Sequence, residues 1–178
     1  MPPGSLQVSV FYGLRHIKLD EQFGYDSESQ VPLPGGASQS VDVRVANELF
    51  GVQLGTLLEL QVEPRWWIDV RMAAGLYRNQ VGQTTVYEQT GGLPSDNLLN
   101  SSNERGSISA EVSVAAAYAV LQNLTIRVGY HFLWFDRVAL AAENLETNPV
   151  LLQNGPGQLD VAGTIMFHGP MLGATMTW

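Results

Sequence analysis

The chain has 178 residues, a formal net charge of −8 and no cysteine. This length suits a single domain, so we expect residues 1–178 to form one structural unit. The acidic balance argues against nucleic-acid binding, and the absence of cysteine excludes disulfides and thiolate metal sites.

The chain shows neither a transmembrane helix nor a signal peptide in its sequence. No apolar run reaches the roughly 18 residues that a membrane-spanning helix needs. Residues 1–5 lack the basic and apolar regions of a signal peptide, so we expect a mature chain or a fragment.

Six segments that alternate apolar and polar residues predict six long strands. The first covers 6–19 and the second runs from about 41 to 60. In the second segment the apolar residues change parity between Val45 and Phe50. Since a slip of one residue exchanges the two faces of a strand, we expect a β-bulge near 46–49.

The third predicted strand begins at Trp66, and the stretch 84–87 could extend it beyond a membrane. The remaining strands are expected at about 107–120, 124–134 and 164–178. Segments 57–60 and 115–117 could be helical by propensity. The alternation on either side of them and the β-branched residues favour strand.

The connections between the predicted strands alternate in length. Tight turns at 63–65 and 122–123 contrast with long connections at about 21–40, 79–106 and 137–163, which are rich in Gly, Pro, Ser, Asn and acidic residues. Outer-membrane barrels have this arrangement of short turns on one side and long loops on the other. We therefore predict an all-β fold, an antiparallel up-and-down transmembrane β-barrel, complete or partial.

The polar face of the strands carries small residues beside charged ones. This composition indicates a crowded polar interior in which opposite charges neutralise one another, with the apolar face toward lipid. The residues expected to line that interior, and to set the electrostatics of a constriction, are Arg15, Arg44, Asp69, Arg71, Glu111, Arg127 and His131. In a narrow barrel the same side chains would fill the interior.

Tryptophans lie near the predicted strand ends, where outer-membrane barrels carry girdles of interfacial aromatics. They are Trp66, Trp67, Trp134 and Trp178. The alternative is that these side chains belong to an ordinary core.

No pattern in the sequence indicates catalysis, and we expect no enzyme, cofactor or metal site. His16, His131 and His168 are far apart and have no metal-ligand spacing, and no nucleophile elbow or phosphate-binding loop occurs. Asp69 and Glu111 could form a catalytic carboxylate pair, but the arginines on the same faces favour a structural ion-pair network. The acidic loops fit a solvated surface, with divalent-cation binding as the alternative.

The end of the chain and several internal stretches resemble known outer-membrane proteins. Gly173, Met176 and Trp178 match the C-terminal insertion signal of such proteins, while Met171 departs from its usual polar position. Recurring stretches of the planctomycete-type putative β-barrel porin family are similar to 47–55 (NELFGVQLG), 91–93, 124–134 (LTIRVGYHFLW), 138–140, 148–149 and 167–178. The resemblance covers about 5–178 and implies the C-terminal portion of a larger barrel.

The sequence therefore predicts a porin-like protein of the bacterial outer membrane that permits passive diffusion of small polar solutes. One alternative is a non-conducting barrel that anchors or displays its long loops, and another is a soluble lipocalin-like binding module with its apolar face inward. The expected partners are outer-membrane lipid and the outer-membrane insertion machinery. Because six strands are fewer than the eight or more of single-chain barrels, we also expect further copies of the chain, additional strands upstream or a hairpin contributed by the long loops.

Overall fold

The computed structural model describes residues 2–28, 38–90, 97–145 and 159–178. These residues form one antiparallel sheet of six strands, curled into a half-barrel. The strands are β1 (Leu6–Glu28), β2 (Ser38–Glu63), β3 (Trp66–Thr90), β4 (Asn97–Leu121), β5 (Leu124–Val138) and β6 (Gly163–Met176). Each strand pairs with its neighbours in the chain, so β1 and β6 are the two edges of the sheet.

All six predicted strands are present, and the first four are longer than predicted. β1 and β2 extend into the expected loop 21–40, and β3 and β4 extend into 79–106. The stretch 84–87 continues β3, as predicted, and the two stretches with helical propensity are strand. Within the four described ranges, no helical span has the length and hydropathy of a bilayer crossing.

Even-numbered and odd-numbered residues form opposite faces of the sheet, and two ion pairs show that the odd-numbered face is concave. Arg15 on β1 contacts Glu111 on β4 at 2.5 Å, although β2 and β3 lie between them. Arg127 on β5 likewise contacts Asp69 on β3 at 3.1 Å. Neighbouring strands are roughly 4.8 Å apart, so side chains on a flat sheet could not reach across three such steps. The curl of the sheet brings them together.

The change of parity in β2 is not a β-bulge, which corrects the prediction. β2 pairs with both neighbours in unbroken register through 46–49, and its register shift lies instead near Gln61. The polarity of both faces reverses along the strand. On the convex face of β2, residues from the start of the strand to Glu48 are mainly polar, and those from Phe50 onward are mainly apolar. On the concave face, residues from the start of the strand to Leu49 are mainly apolar.

The same reversal occurs in the neighbouring strands at nearly the same level. On the convex face of β1 it falls between Leu14 and His16, and on β3 between Leu76 and Arg78. We call the apolar convex side of 6–14, 50–60, 66–76, 108–120, 124–134 and 166–176 the apolar band. The parts of β1–β4 beyond it, 16–28, 38–49, 78–90 and 97–106, are called the wing.

Candidate functional site

After β5 the chain turns onto the concave side of the sheet. Arg137 has a φ of 60°, an uncommon value for a residue other than glycine, and the following Val138 is buried. Residues 139–145 and 159–162 then pack against the concave face of the wing. We call these two stretches the inner segment.

Apolar side chains of the wing and the inner segment form a core on the concave side. Its buried members are Val41, Val43, Val45, Val81, Tyr87, Ala139, Ala141 and Val161. A second cluster lies next to it, nearer the apolar band, and contains Leu49, Tyr77, Phe135 and Val138. The concave side of the wing is therefore covered by a packed core at β2 and β3, which explains the apolar concave face of β2, whereas β4 is polar on that face at Ser101, Asn103 and Arg105.

One buried asparagine fixes the inner segment to β2. The Asn47 side-chain amide donates to the carbonyl of Ala139 at 2.8 Å, and its oxygen accepts the Ala139 N–H, also at 2.8 Å. Asn79 on β3 donates to the same oxygen at 2.9 Å. The Asn47 side chain thus meets both backbone groups of Ala139, as a paired strand would. We did not predict this role, and the available signal was a polar residue within an otherwise apolar concave row.

A second asparagine joins the two stretches of the inner segment. Asn144 donates to the carbonyls of Leu140 and Asp160, at 2.8 and 2.9 Å, and accepts the Asp160 N–H at 2.7 Å. Glu21 on β1 accepts the N–H of Ala141 at 3.2 Å. The inner segment is therefore held by polar contacts as well as by the apolar core.

At the level of the apolar band the concave face carries charge, centred on the buried Glu111. Arg15 donates to Glu111 at 2.5 Å and to Gln53 at 3.2 Å. The Nε2 atom of His131 lies 3.3 Å from the other carboxylate oxygen. A buried carboxylate is stable only with such partners, because burial without them disfavours the charged form.

A second ion pair lies nearer the short turns. Arg127 contacts Asp69 at 3.1 Å and donates to Thr175 on β6 at 2.8 Å. Its guanidinium lies 5.8 Å from the centre of the Trp67 ring. These contacts link β3, β5 and β6 across the concave side.

Arg71 differs from the other two arginines at this level. Its guanidinium carbon lies 4.5 Å from the centre of the Phe11 ring, two strands away. The Phe11 ring lies across Gly55 on the intervening strand, where any Cβ atom would overlap it. The missing side chain at Gly55 therefore leaves room for the ring and for the arginine on top of it.

The structure places six of the seven predicted interior residues on the concave face, and it brings Arg15, Glu111 and His131 into one cluster. Arg44 is the exception and corrects the prediction. It lies on the convex face of the wing, two-thirds exposed, and pairs with Asp42 of the same strand at 3.1 Å. The reversal of polarity along β2 explains the error, because charged residues lie on the convex face in the wing and on the concave face at the level of the apolar band. That the six line a pore stays a prediction.

The four predicted interfacial tryptophans do not share one face. Trp66 and Trp134 lie on the convex face at opposite ends of the apolar band. Trp67 lies on the concave face beneath Arg127, where it does not point outward as a girdle residue would. Trp178 follows β6 and is fully exposed.

The residues of the proposed insertion signal lie at the end of the last strand. Gly173 is on the concave face of β6, whereas Met176 is on the convex face and exposed. Recognition by the insertion machinery remains a prediction. The resembling stretches 91–93 and 148–149 lie outside the described residues.

The histidines are not brought together. His16 contacts Glu48 at 2.9 Å on the convex face, and His168 lies beside Tyr130 and Phe132 on β5, with 2.6 Å between its Nδ1 and the Tyr130 hydroxyl. In the part of the chain that the structure describes, no three acidic or histidine side chains are grouped as metal ligands.

Comparison with known proteins gives one match. A family model described as "Putative beta barrel porin-7" matches residues 3–162, so β1 to β5 lie within the matched range and β6 lies beyond it. No curated protein and no solved structure matches the chain.

Proposed function

The chain belongs to the Putative beta barrel porin-7 family, and we propose on that premise that it forms part of an outer-membrane barrel through which small polar solutes diffuse passively. The membership supports a β-barrel protein. The location in the outer membrane, the conduction and the kind of solute are our own proposals.

The observation that carries the proposal is the apolar band on the convex face. Its residues include side chains such as Tyr12 and Leu172, which are 87% and 80% exposed, so the band is a broad apolar surface directed away from the sheet. The band covers stretches close to the roughly 9–11 residues that a tilted transmembrane strand needs. A soluble protein rarely exposes so large an apolar surface, whereas lipid would cover it at no cost.

The opposite face supports passage of polar solutes. At the level of the band it carries arginines, acids, a histidine and glycines, and its charges are largely neutralised in pairs. Fixed charges on a pore wall set the electrostatic barrier for each solute. The mechanism we propose is diffusion past this wall, with no moving part.

Two measurements test the proposal. We expect the full chain, expressed in a bacterial host with its own export route, to stay with the membrane fraction after high-salt washing. Reconstituted in planar bilayers, it should give stepwise conductance. Absence of channel events from protein that is bilayer-inserted and β-structured by circular dichroism would overturn the porin proposal.

A non-conducting barrel is the second candidate, and one observation favours it. The inner segment and its core cover the concave side of the wing, so a closed barrel of this shape would be narrowed or filled there. Such a barrel would anchor or display the wing. It would fractionate with membranes in the same way but give no conductance, so the bilayer measurement separates the two.

A further inference from the structure

We propose that Arg71 is a contact for small oxyanions, meaning solutes that carry a carboxylate or phosphate group, on the concave face of the sheet. The inference rests on the proposed porin function and names a class of solute that such a pore would favour.

Arg71 lacks the direct acidic partner that the other two arginines have, although Glu111 is near enough to interact with its charge. Arg15 forms an ion pair with Glu111. Arg127 does the same with Asp69. Among the described residues Arg71 forms no ion pair and donates no hydrogen bond, and its side chain is exposed on the concave side.

The position of Arg71 is nevertheless defined. Its guanidinium is stacked on the ring of Phe11, 4.5 Å from the centre, and the ring lies over Gly55. Stacking on an aromatic face covers one side of the guanidinium plane and leaves the N–H groups at its edge free. The planar fork of these donors matches the two oxygens of a carboxylate or phosphate.

The concave face at this level carries three arginines and three acids, but none of the acids forms a direct ion pair with Arg71. Glu111 makes its direct contacts with Arg15 and His131 and interacts with Arg71 only at longer range. Glu59 on β2 and Asp69 on β3 are register partners, one row nearer the short turns than Arg71. The Arg71 guanidinium is directed the opposite way along the strands, toward Phe11. Glu59 and Asp69 are therefore separated from the guanidinium along the strands, whereas Glu111 lies in the same row of the sheet as Phe11.

The test measures ion permeability in planar bilayers. Under a steep gradient of potassium acetate, Arg71→Gln should lower the acetate-to-potassium permeability ratio by about twofold or more, because the unpaired cation is lost. Arg44→Gln is the matched control, since it removes the same charge from the convex face of the wing and should leave the ratio unchanged. An Arg71→Gln ratio equal to that of the unmodified chain would overturn the inference.

A second variant separates charge from geometry. Arg71→Lys keeps the positive charge but loses the planar fork and the stacking on Phe11. We expect this variant to keep the chloride-to-potassium permeability ratio of the unmodified chain and to lose the preference for acetate over chloride. An unchanged acetate preference would contradict the oxyanion contact, even if Arg71→Gln failed to insert. If the unmodified chain gives no conductance, the proposed function itself fails. If it conducts but the Arg71 variants do not show these changes in permeability ratio, the Arg71 inference alone is refuted.

Discussion

Asn47 acts as the strand partner of Ala139, although the two residues are 92 positions apart in the chain. Its side chain satisfies an N–H and a carbonyl that would otherwise be buried without partners. Orphaned buried groups cost about 1–3 kcal/mol each, which is more than the net gain of an average hydrogen bond. The residue therefore holds the inner segment on the wing, because a smaller side chain could not satisfy both backbone groups of Ala139.

We expect Asn47→Ala to loosen the inner segment, because Ala139 and Asn79 lose their shared partner. The free energy of unfolding should fall by about 2–4 kcal/mol, and protease should cut the inner segment faster than in the unmodified chain. Urea titration of the refolded protein and limited proteolysis measure the two effects.

Asn100→Ala is the matched control for that variant. Asn100 is exposed on the convex face of the wing and accepts a hydrogen bond from Thr84 at 3.0 Å. Its loss should change the free energy of unfolding by no more than about 0.5 kcal/mol. Equal effects of the two substitutions would show that Asn47 does not hold the inner segment.

At the same scale, the sequence predicted which face most charged residues occupy but not which partners they contact. Parity alone placed Asp69 and Glu111 together on the polar face of their strands, and the structure agrees. The pairing of Arg15 with Glu111 depends on the curl of the sheet, which no local pattern encodes. Arg44 was assigned to the wrong face because the rule relating charge to the interior reverses outside the apolar band.

The polarity of the strand faces reverses where the apolar band meets the wing, and with it changes what each face contacts. Within the apolar band the convex side is apolar and the concave side polar, whereas in the wing the convex side is mainly polar and the concave side of β1 and β2 is mainly apolar. Under the proposed function, lipid outside and polar solutes inside would account for the band. Water outside and a packed core inside account for the wing.

Arginine substitutions on the convex face of β4 test this division. Val112 lies in the middle of the band, and Ser102 lies on the same face of the same strand within the wing. Val112→Arg should destabilise the inserted protein by about 2–4 kcal/mol, because a charge at bilayer depth loses its hydration. Ser102→Arg should change stability by less than about 0.5 kcal/mol. The measurement is unfolding by denaturant in lipid vesicles.

Similar costs at the two positions would contradict the assignment of the band to lipid. A soluble sheet with this curvature would tolerate both arginines, since both side chains lie on the convex face and would reach water. The comparison therefore tests whether lipid covers the convex face, independently of any conductance measurement.

Strand lengths were the least predictable feature at this scale. The expected loops 21–40 and 79–106 are rich in polar residues, yet strands cover much of both. Inward-facing apolar residues of these stretches, such as Val81 and Tyr87, belong to a core that the inner segment completes. A partner that distant in the chain leaves no local signal.

For the whole molecule, the open edges are the main consequence of the topology. β1 and β6 pair with one neighbour each, so their outer backbone groups have no strand partner within the described ranges. Unsatisfied backbone groups cost several kcal/mol each in a bilayer, which is why membrane sheets close. Because six is an even number, β6 of one copy runs antiparallel to β1 of another and can pair with it.

We expect this 178-residue chain, refolded in detergent, to form closed particles that contain at least two copies. Light scattering with the detergent contribution subtracted gives the number of copies. The expected result is a discrete assembly in which amide exchange is slow along both β1 and β6. A single-copy particle with slow exchange at both edges would contradict the prediction, since one chain would then close by itself.

The strands, their order and the apolar band could be predicted from the sequence, because alternation with a period of two is a local property of each strand. The length of the wing, the docking of the inner segment and the ion pairs across the concave face became clear from the three-dimensional structure. These features depend on contacts between residues that the register and curl of the sheet bring together. The same curl seats Phe11 over Gly55 and places Arg71 on top of it.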